Sequence, residues 1–296
     1  MVEHEQPHFS PKRKITAIFL LILTTILWGS SFIITKNLTE EVPIFQYLGF
    51  RFLIAFLGFI PFFPRLKNLN PKILGMAVIT GLLYFFGMVF QTFGLQDPAT
   101  TAGKAGFITG LSTIMVPFIS WIMYKKHMNK YIWVAVALST LGMAFLLLEG
   151  EGGLVFGDVL VLICSFFWPF YIIYNDKFVR VSDIFLYSTV QVAVISASSF
   201  IGSLLVREKY LFNIYSTSVW SILIYMGLGV VTLTFLFQNW SQQYQEPAQT
   251  AIIFTLEPVF AALFGFLIGN EILSLMGIIG FILIFTAILI TALKNS

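Results

Sequence analysis

The chain has 296 residues, of which 58% are hydrophobic and 10% charged, with a mean hydropathy of +0.89 and a formal net charge of +3. One core cannot hide so much apolar surface from water, so the composition excludes a water-soluble globule and indicates a chain whose solvent is lipid. The single cysteine, Cys164, excludes an intramolecular disulfide and a cysteine-based metal cluster.

Apolar runs follow one another along almost the whole chain. A membrane-spanning helix needs about 20 mostly apolar residues. We predict ten such helices, at about residues 15–36, 44–63, 73–95, 99–123, 131–148, 158–175, 184–206, 218–240, 248–269 and 275–293. The predicted fold class is an all-α polytopic membrane protein, without a soluble domain that could carry an enzyme active site or a nucleic-acid site.

Lysine and arginine residues are distributed unevenly over the predicted loops. The first apolar run is too long for a signal-peptide core and lacks a small-residue cleavage site, so we expect it to be a retained span. If the segment with Lys12, Arg13 and Lys14 is cytoplasmic, the cytoplasmic segments hold twelve Lys and Arg residues against three outside. We therefore expect a multi-pass protein of the cell membrane with both termini in the cytoplasm.

The two halves of the chain resemble each other in sequence. The matches are Thr24, Trp28, Ser31 and Thr35 with Cys164, Trp168, Tyr171 and Asn175, then PIFQYLGFR with DIFLYSTVQ, and QDPATTA with QEPAQTA. Each half holds five predicted spans, an odd number, so the second half must enter the membrane from the opposite side. The sequence thus predicts two inverted five-helix repeats, residues 15–149 and 155–293, joined by the glycine-rich linker EGEGGLVFGD, an arrangement typical of secondary transporters.

Three stretches carry a resemblance to a known family: LWGSSFIITK, TTAGKAGFITGLSTIMVPFISWIMYKK and QEPAQTAIIFTLEPVFAALFGFLIGNEILSLMGIIGFILI. Together with the doubled five-span plan, they resemble the EamA branch of the drug/metabolite transporter superfamily, from about residue 15 to 293. The resemblance implies a ten-helix inverted-repeat exporter or exchanger of small metabolites, often amino acids. It also implies a central cavity lined by helices 1, 3, 4, 6, 8 and 9, and it leaves the substrate open.

Polar and aromatic residues at matched positions of the first and sixth spans are candidates for substrate binding. Trp28 and Ser31 share one face of the first span, and Trp168, Tyr171 and Asn175 share one face of the sixth. Substrate sites of inverted-repeat transporters form where two such segments meet. The alternative is that these residues only pack the helices together.

Two charged residues are predicted substrate contacts. Glu257 lies about ten residues into the ninth span, where an unpaired carboxylate would cost several kcal/mol. It could bind a substrate ammonium or carry a coupling proton, or else pair structurally with Arg51 or Lys104. Lys104, near the outer end of the fourth span, could meet a substrate carboxylate or extend to water. For Arg51, deep in the second span, we favour structural pairing over substrate binding.

Further polar residues lie on single faces of the third and eighth spans. Tyr84 and Gln91 of the third span and Asn239 of the eighth are predicted cavity walls, with interhelical hydrogen bonding as the alternative. The histidines lie in the tail and a loop, at positions 4, 8 and 127, so we expect no metal site in the membrane. We also find no nucleotide-binding glycine loop and no Ser-His-Asp set, and therefore expect neither an enzyme nor a cofactor.

These features predict a secondary transporter, an exporter or exchanger, that moves a small polar metabolite such as an amino acid by alternating access around a central cavity. Membrane lipid is a further expected partner, nucleic acid is not, and proton coupling stays open. One alternative is a lipid-handling or interaction protein without a transport cycle. Within transport, the alternatives are a drug carrier and a nucleotide-sugar carrier, although the latter would need more basic residues in the cavity.

Overall fold

Helices make up the regular structure of the chain wherever it is described. The computed structural model describes residues 10–125, 129–147, 155–209, 215–270 and 275–294, so the three histidines and linker residues 149–154 lie outside the described residues. The helices are α1 (Pro11–Leu38), α2 (Ile44–Gly58), α3 (Pro71–Leu95), α4 (Ala102–Tyr124), α5 (Lys130–Leu147), α6 (Phe156–Val179), α7 (Ile184–Leu205), α8 (Thr217–Gln242), α9 (Pro247–Gly269) and α10 (Leu275–Lys294).

Within the described ranges, seven helices are long and apolar enough to cross a membrane, namely α1, α3, α4, α6, α7, α8 and α9. Helix α2 continues into the 3₁₀-helix Ile60–Asn68 at an angle of 81°, and this bent pair is an eighth candidate if it forms one span. Helices α5 and α10 contain shorter apolar stretches, Lys130–Gly142 and Ile278–Ile290. The chain is therefore a multi-pass membrane protein.

Local sequence determines where several helices begin and end. The side chain of Asn70 accepts a hydrogen bond from the Ile73 amide (2.9 Å), and the Thr101 hydroxyl accepts one from the Lys104 amide (3.0 Å). Both contacts satisfy amides that have no partner in the first turn of a helix. Helix α9 ends at Asn270, whose φ of 54° takes the chain out of the helical conformation.

Two helices of the second half are irregular. Helix α8 contains a π-helical stretch, Tyr225–Thr232, and α9 is interrupted between Phe254 and Glu257. Pro258 has no amide proton, so the carbonyl of Phe254 has no donor from the residue four positions later. Such breaks are tolerated inside a membrane only where the backbone faces protein or a cavity. The break in α9 places Glu257 at the first turn of a new helical segment.

The principal contacts between helices form a pattern that stays the same when each helix is exchanged with the one five places along the chain. Helix α3 packs on α6 and α7, and α8 packs correspondingly on α1 and α2. In the same way α4 packs on α6 and α9 on α1, while α2–α7, α4–α9 and α5–α10 are pairs that map onto themselves. Gly29 lets α1 approach α9 closely, since a Cβ there would lie 2.8 Å from the Phe260 carbonyl carbon.

Candidate substrate-binding cavity

A cavity of about 490 Å³, a figure that includes space continuous with its surroundings, lies among the helices. Its lining residues are Trp28, Ser31, Arg51, Tyr84, Met88, Gln91, Thr109, Ser112, Thr113, Trp168, Tyr171, Ile172, Gln238, Phe254 and Glu257. They come from α1, α3, α4, α6, α8 and α9, the helices that the family resemblance implies, and additionally from α2. Small-molecule sites combine apolar walls with a few polar groups, and the lining of this cavity has that composition.

Aromatic rings form much of the cavity wall. The ring centroids of Trp28 and Phe254 lie 4.9 Å apart. Tyr84 meets Trp168 at 4.8 Å and Tyr171 at 5.1 Å, both edge-on. Two aromatic rings packed edge to face attract each other, and this contact holds both rings in fixed orientations. Their faces can contact an apolar group or attract a cation.

Protein groups already satisfy the indole N–H groups of both cavity tryptophans. Trp28 Nε1 donates to Thr234 Oγ1 at 3.1 Å, and Trp168 Nε1 donates to Cys164 Sγ at 3.0 Å. The Ser31 hydroxyl donates to the Trp28 carbonyl at 2.8 Å. Because these donors are occupied within the protein, the tryptophans offer a ligand mainly their ring surfaces.

Uncharged polar side chains of α3 and α4 form another part of the wall. Gln91 Nε2 donates to Thr109 Oγ1 at 3.1 Å, and Ser112 and Thr113 follow on the same face of α4. Their spacing of three and four residues places them on one side of a helix. The three α4 residues were not predicted from the sequence, although their helical spacing was a signal that could have identified them.

Arg51 and Glu257 are the charged residues of the described lining. Arg51 is 1% exposed, and its Nη1 donates to the Tyr47 hydroxyl at 3.0 Å. The Glu257 carboxylate is half-buried and forms no hydrogen bond or ion pair with the described residues. A buried charge is costly unless it is paired or hydrated. The cavity lining therefore includes one guanidinium group and one carboxyl group.

Lys104 lies away from the cavity lining, at the end of the bundle where α4 and α6 begin. Its Nζ is 2.5 Å from Oδ2 of Asp158, which is fully buried. Asp158 also accepts hydrogen bonds from the Thr100 hydroxyl and the Val155 amide, each at 2.9 Å. The structure thus places Lys104 in contact with a protein carboxylate, whereas the cation beside the cavity is Arg51.

Asn175 and Asn239 belong to a buried polar network that also lies outside the cavity lining. Asn175 Nδ2 donates to Asn239 Oδ1 at 2.7 Å, and Asn239 Nδ2 donates to the Ser188 hydroxyl at 2.7 Å. Asn175 Oδ1 accepts hydrogen bonds from the Tyr187 hydroxyl (3.0 Å) and from Gln191 Nε2 (3.1 Å). These contacts join α6, α7 and α8.

Seven of the ten predicted binding residues come together in the cavity lining: Trp28, Ser31, Tyr84, Gln91, Trp168, Tyr171 and Glu257. Sequence reasoning left out Gln238, the α4 hydroxyls and the apolar residues Met88, Ile172 and Phe254, and for Arg51 it favoured structural pairing over substrate binding. Apolar residues in a membrane helix carry no signal that separates a cavity wall from the core. Arg51 did carry such a signal, its charge deep in an apolar span.

Comparison with known proteins identifies the family of the chain. The model of the EamA-like transporter family matches residues 15–148 and, a second time, residues 155–293. The chain belongs to the EamA-like transporter family. This confirms the family resemblance noted in the sequence, and membership of a transporter family implies a small-molecule substrate.

The matches between this EamA-like transporter and several relatives cover most of each relative's length. An uncharacterized transporter of Archaeoglobus fulgidus is 33% identical over 274 residues, which cover 93% of this chain and 85% of that protein. An S-adenosylmethionine uptake transporter of Rickettsia conorii is 24% identical, with 88% and 86% covered. A crystal structure that is 20% identical matches with a TM-score of 0.75 over 94% of this chain and 98% of the other, which shows a likeness of fold alone.

Proposed function

We propose that this protein is a secondary transporter that moves a small polar metabolite, such as an amino acid, by alternating access around the cavity. The observation that carries the proposal is the Glu257 carboxylate, which lines an aromatic-walled cavity without a partner among the described residues. An unpaired carboxylate at this depth costs several kcal/mol. A substrate ammonium group would compensate it, and the faces of Trp28 and Trp168 would attract the same cation.

The proposal extends to the architecture, with ten spanning helices in two inverted repeats at residues 15–149 and 155–293. The twofold match of the family model and the exchange pattern of helix pairs both support it. Equivalent hydrogen bonds at positions 140 residues apart give further support. Thr35 Oγ1 lies 2.7 Å from the Tyr47 hydroxyl, and Asn175 Oδ1 accepts from the Tyr187 hydroxyl at 3.0 Å. Inverted repeats of this kind are typical of alternating-access carriers.

We place the transporter in the cell membrane with both termini cytoplasmic, because Lys and Arg are concentrated in alternate loops. Export or exchange is the proposed direction, on the strength of the resemblance in sequence, while the Rickettsia conorii relative is named for uptake. The transport cycle as proposed involves membrane lipid and a small-molecule substrate, with no cofactor, catalytic step or nucleic acid.

A release assay tests this proposal. Liposomes containing the purified protein are preloaded with the twenty common amino acids, and mass spectrometry measures which ones leave. The wild type is expected to release a subset. Glu257→Gln, which keeps the shape but removes the charge, should slow that release about tenfold or more, as expected for loss of a charge-assisted contact. The control Glu41→Gln changes an exposed carboxylate and should release normally.

Two outcomes would count against the proposal in different ways, and the same vesicles test proton coupling. Normal release by Glu257→Gln would remove this carboxylate from substrate binding. Absence of protein-dependent release of any amino acid would contradict the substrate class. Proton coupling through Glu257 is tested in the same vesicles, because a pH gradient should drive release by the wild type but not by Glu257→Gln.

A further inference from the structure

Arg51 brings a positive charge to the cavity without a carboxylate partner in the described part of the chain. Besides the bond from Nη1 to the Tyr47 hydroxyl, its Nε has no hydrogen-bond partner among the described residues. Its guanidinium carbon lies 5.9 Å from the centroid of the Tyr47 ring and 5.8 Å from that of Phe52. One neutral hydroxyl and two ring faces leave most of the five guanidinium N–H donors unused.

At the matching position of the second half, a neutral side chain makes the contacts between helices. Gln191 lies 140 residues after Arg51 and is fully buried. Its amide group bonds to four neighbours, Thr80 (2.9 Å), Asn175 (3.1 Å), Tyr187 (3.3 Å) and Asn239 (3.2 Å). A neutral side chain therefore fulfils the structural role at this position. The charge of Arg51 is an addition that helix packing does not require.

We propose that Arg51 binds the carboxylate of the transported substrate, which is a zwitterion whose ammonium group faces Glu257. This inference rests on the proposed function and identifies the residue of the same site that binds the anionic group of the substrate. The planar guanidinium offers paired N–H donors that match the two oxygens of a carboxylate. Nε is buried and lacks a hydrogen-bond partner among the described residues, so the guanidinium is incompletely satisfied by the protein.

The two cavity charges complement a substrate that carries both charges itself. Arg51 and Glu257 line one cavity, yet they form no ion pair with each other in the described structure. A zwitterion neutralises both groups when it binds. A simple amine leaves the Arg51 charge uncompensated, and a simple carboxylic acid does the same to Glu257. Sites that leave a buried polar group unpaired reject the incomplete ligand strongly.

The inference is tested with ligands that differ in one charged group. The detergent-purified wild type is titrated with the twenty common amino acids, with the amide of each, which lacks the carboxylate, and with the N-acetyl derivative of each, which lacks the ammonium. Ligand-induced rises in melting temperature give apparent dissociation constants. We expect an amino acid to bind about 10- to 100-fold more tightly than its own amide, as expected for loss of a hydrogen-bonded charge contact.

Two variants and one control assign this preference to Arg51. Arg51→Gln should weaken amino-acid binding to the level of the amide and leave the amide's own affinity unchanged. Arg51→Lys keeps the charge but loses the paired donors, so it should retain a reduced preference, and it is informative even if Arg51→Gln fails to fold. Arg65→Gln is the control, because Arg65, on the 3₁₀-helix after α2, pairs with Asp183 before α7 and is absent from the cavity lining.

Each result decides either the inference or the function beneath it. Equal affinity of the wild type for amino acids and their amides would overturn the role of Arg51, while release of amino acids would leave the transporter proposal standing. An Arg51→Gln protein that weakens amino acids and amides equally would show an effect on cavity shape and would also overturn the inference. If no amino acid binds or is released, both proposals fail together.

Discussion

The ion pair between Lys104 and Asp158 is expected to stabilise the fold without contributing to ligand binding. The Asp158 side chain is fully buried, and the Lys104 side chain is 13% exposed. Lys104→Met would leave a buried carboxylate whose donors among the described residues are the Thr100 hydroxyl and the Val155 amide. Breaking a buried pair by removing one partner costs about 3–5 kcal/mol. Because part of the Lys104 side chain is exposed, we expect a loss of stability at the lower end of this range, about 3 kcal/mol.

The only thiol of the chain provides the assay for this prediction. Cys164 is buried, so a thiol-reactive dye will report unfolding. A loss of about 3 kcal/mol corresponds to a fall of roughly 6–12 °C in melting temperature, at about 2–4 °C per kcal/mol for larger domains. The control Lys72→Met alters an exposed cation at the start of α3 and should melt like the wild type.

A double variant separates the ion pair from its two members. Lys104→Met combined with Asp158→Asn should lose less stability than the sum of the single changes, because the two residues are in contact. The reasoning would be refuted by an unchanged melting temperature in Lys104→Met. It would equally be refuted by a Lys104→Met protein of normal stability that no longer binds amino acids.

Three further predictions concern packing, the buried network and the thiol. Gly29→Val should lower stability by about 1–3 kcal/mol through collision with Phe260, whereas Gly75→Val, with nothing within 4 Å of its Cβ position, should cost much less in the same thermal assay. Asn175→Ala should cost about 2–4 kcal/mol, because it leaves several buried hydrogen-bonding groups without a partner; a melting temperature equal to that of the wild type would contradict this. Cys164 should react with a maleimide roughly 100-fold more slowly in the folded than in the denatured protein, since burial keeps the thiol inaccessible, and rapid labelling of the folded protein would show that its site is open.

Much of the helical layout follows from the sequence because a helix in lipid must be long and apolar. The irregular parts do not follow in this way. The 81° bend after α2 and the π-helical stretch Tyr225–Thr232 depend on how neighbouring helices pack. Thr232, for example, donates to the carbonyls of Ala55 and Gly227, a contact that links α8 to α2. The local sequence does not indicate which carbonyl such a hydroxyl will bond to.

The cavity was predictable where the two halves could be aligned. Trp28 and Trp168 occupy matched positions, and the charge of Glu257 in an apolar helix indicated a carboxyl group that faces protein or a cavity and not lipid. The placement of the cations was harder to predict. Lys104 is paired with Asp158, which follows it by 54 residues in the sequence, through the packing of α4 on α6. A sequence shows that a buried charge needs a partner, but tertiary packing determines which partner it finds.

Access to the cavity from the two sides of the membrane is the most direct test of the transport mechanism. Ser31→Cys in a Cys164→Ala background places a single thiol in the cavity lining. Membrane-impermeant maleimide is then applied to sealed vesicles from the outside or the inside. Alternating access predicts labelling from both sides, slowed by an amino acid that the protein releases. Labelling from one side only, or from neither, would contradict a transport cycle around this cavity.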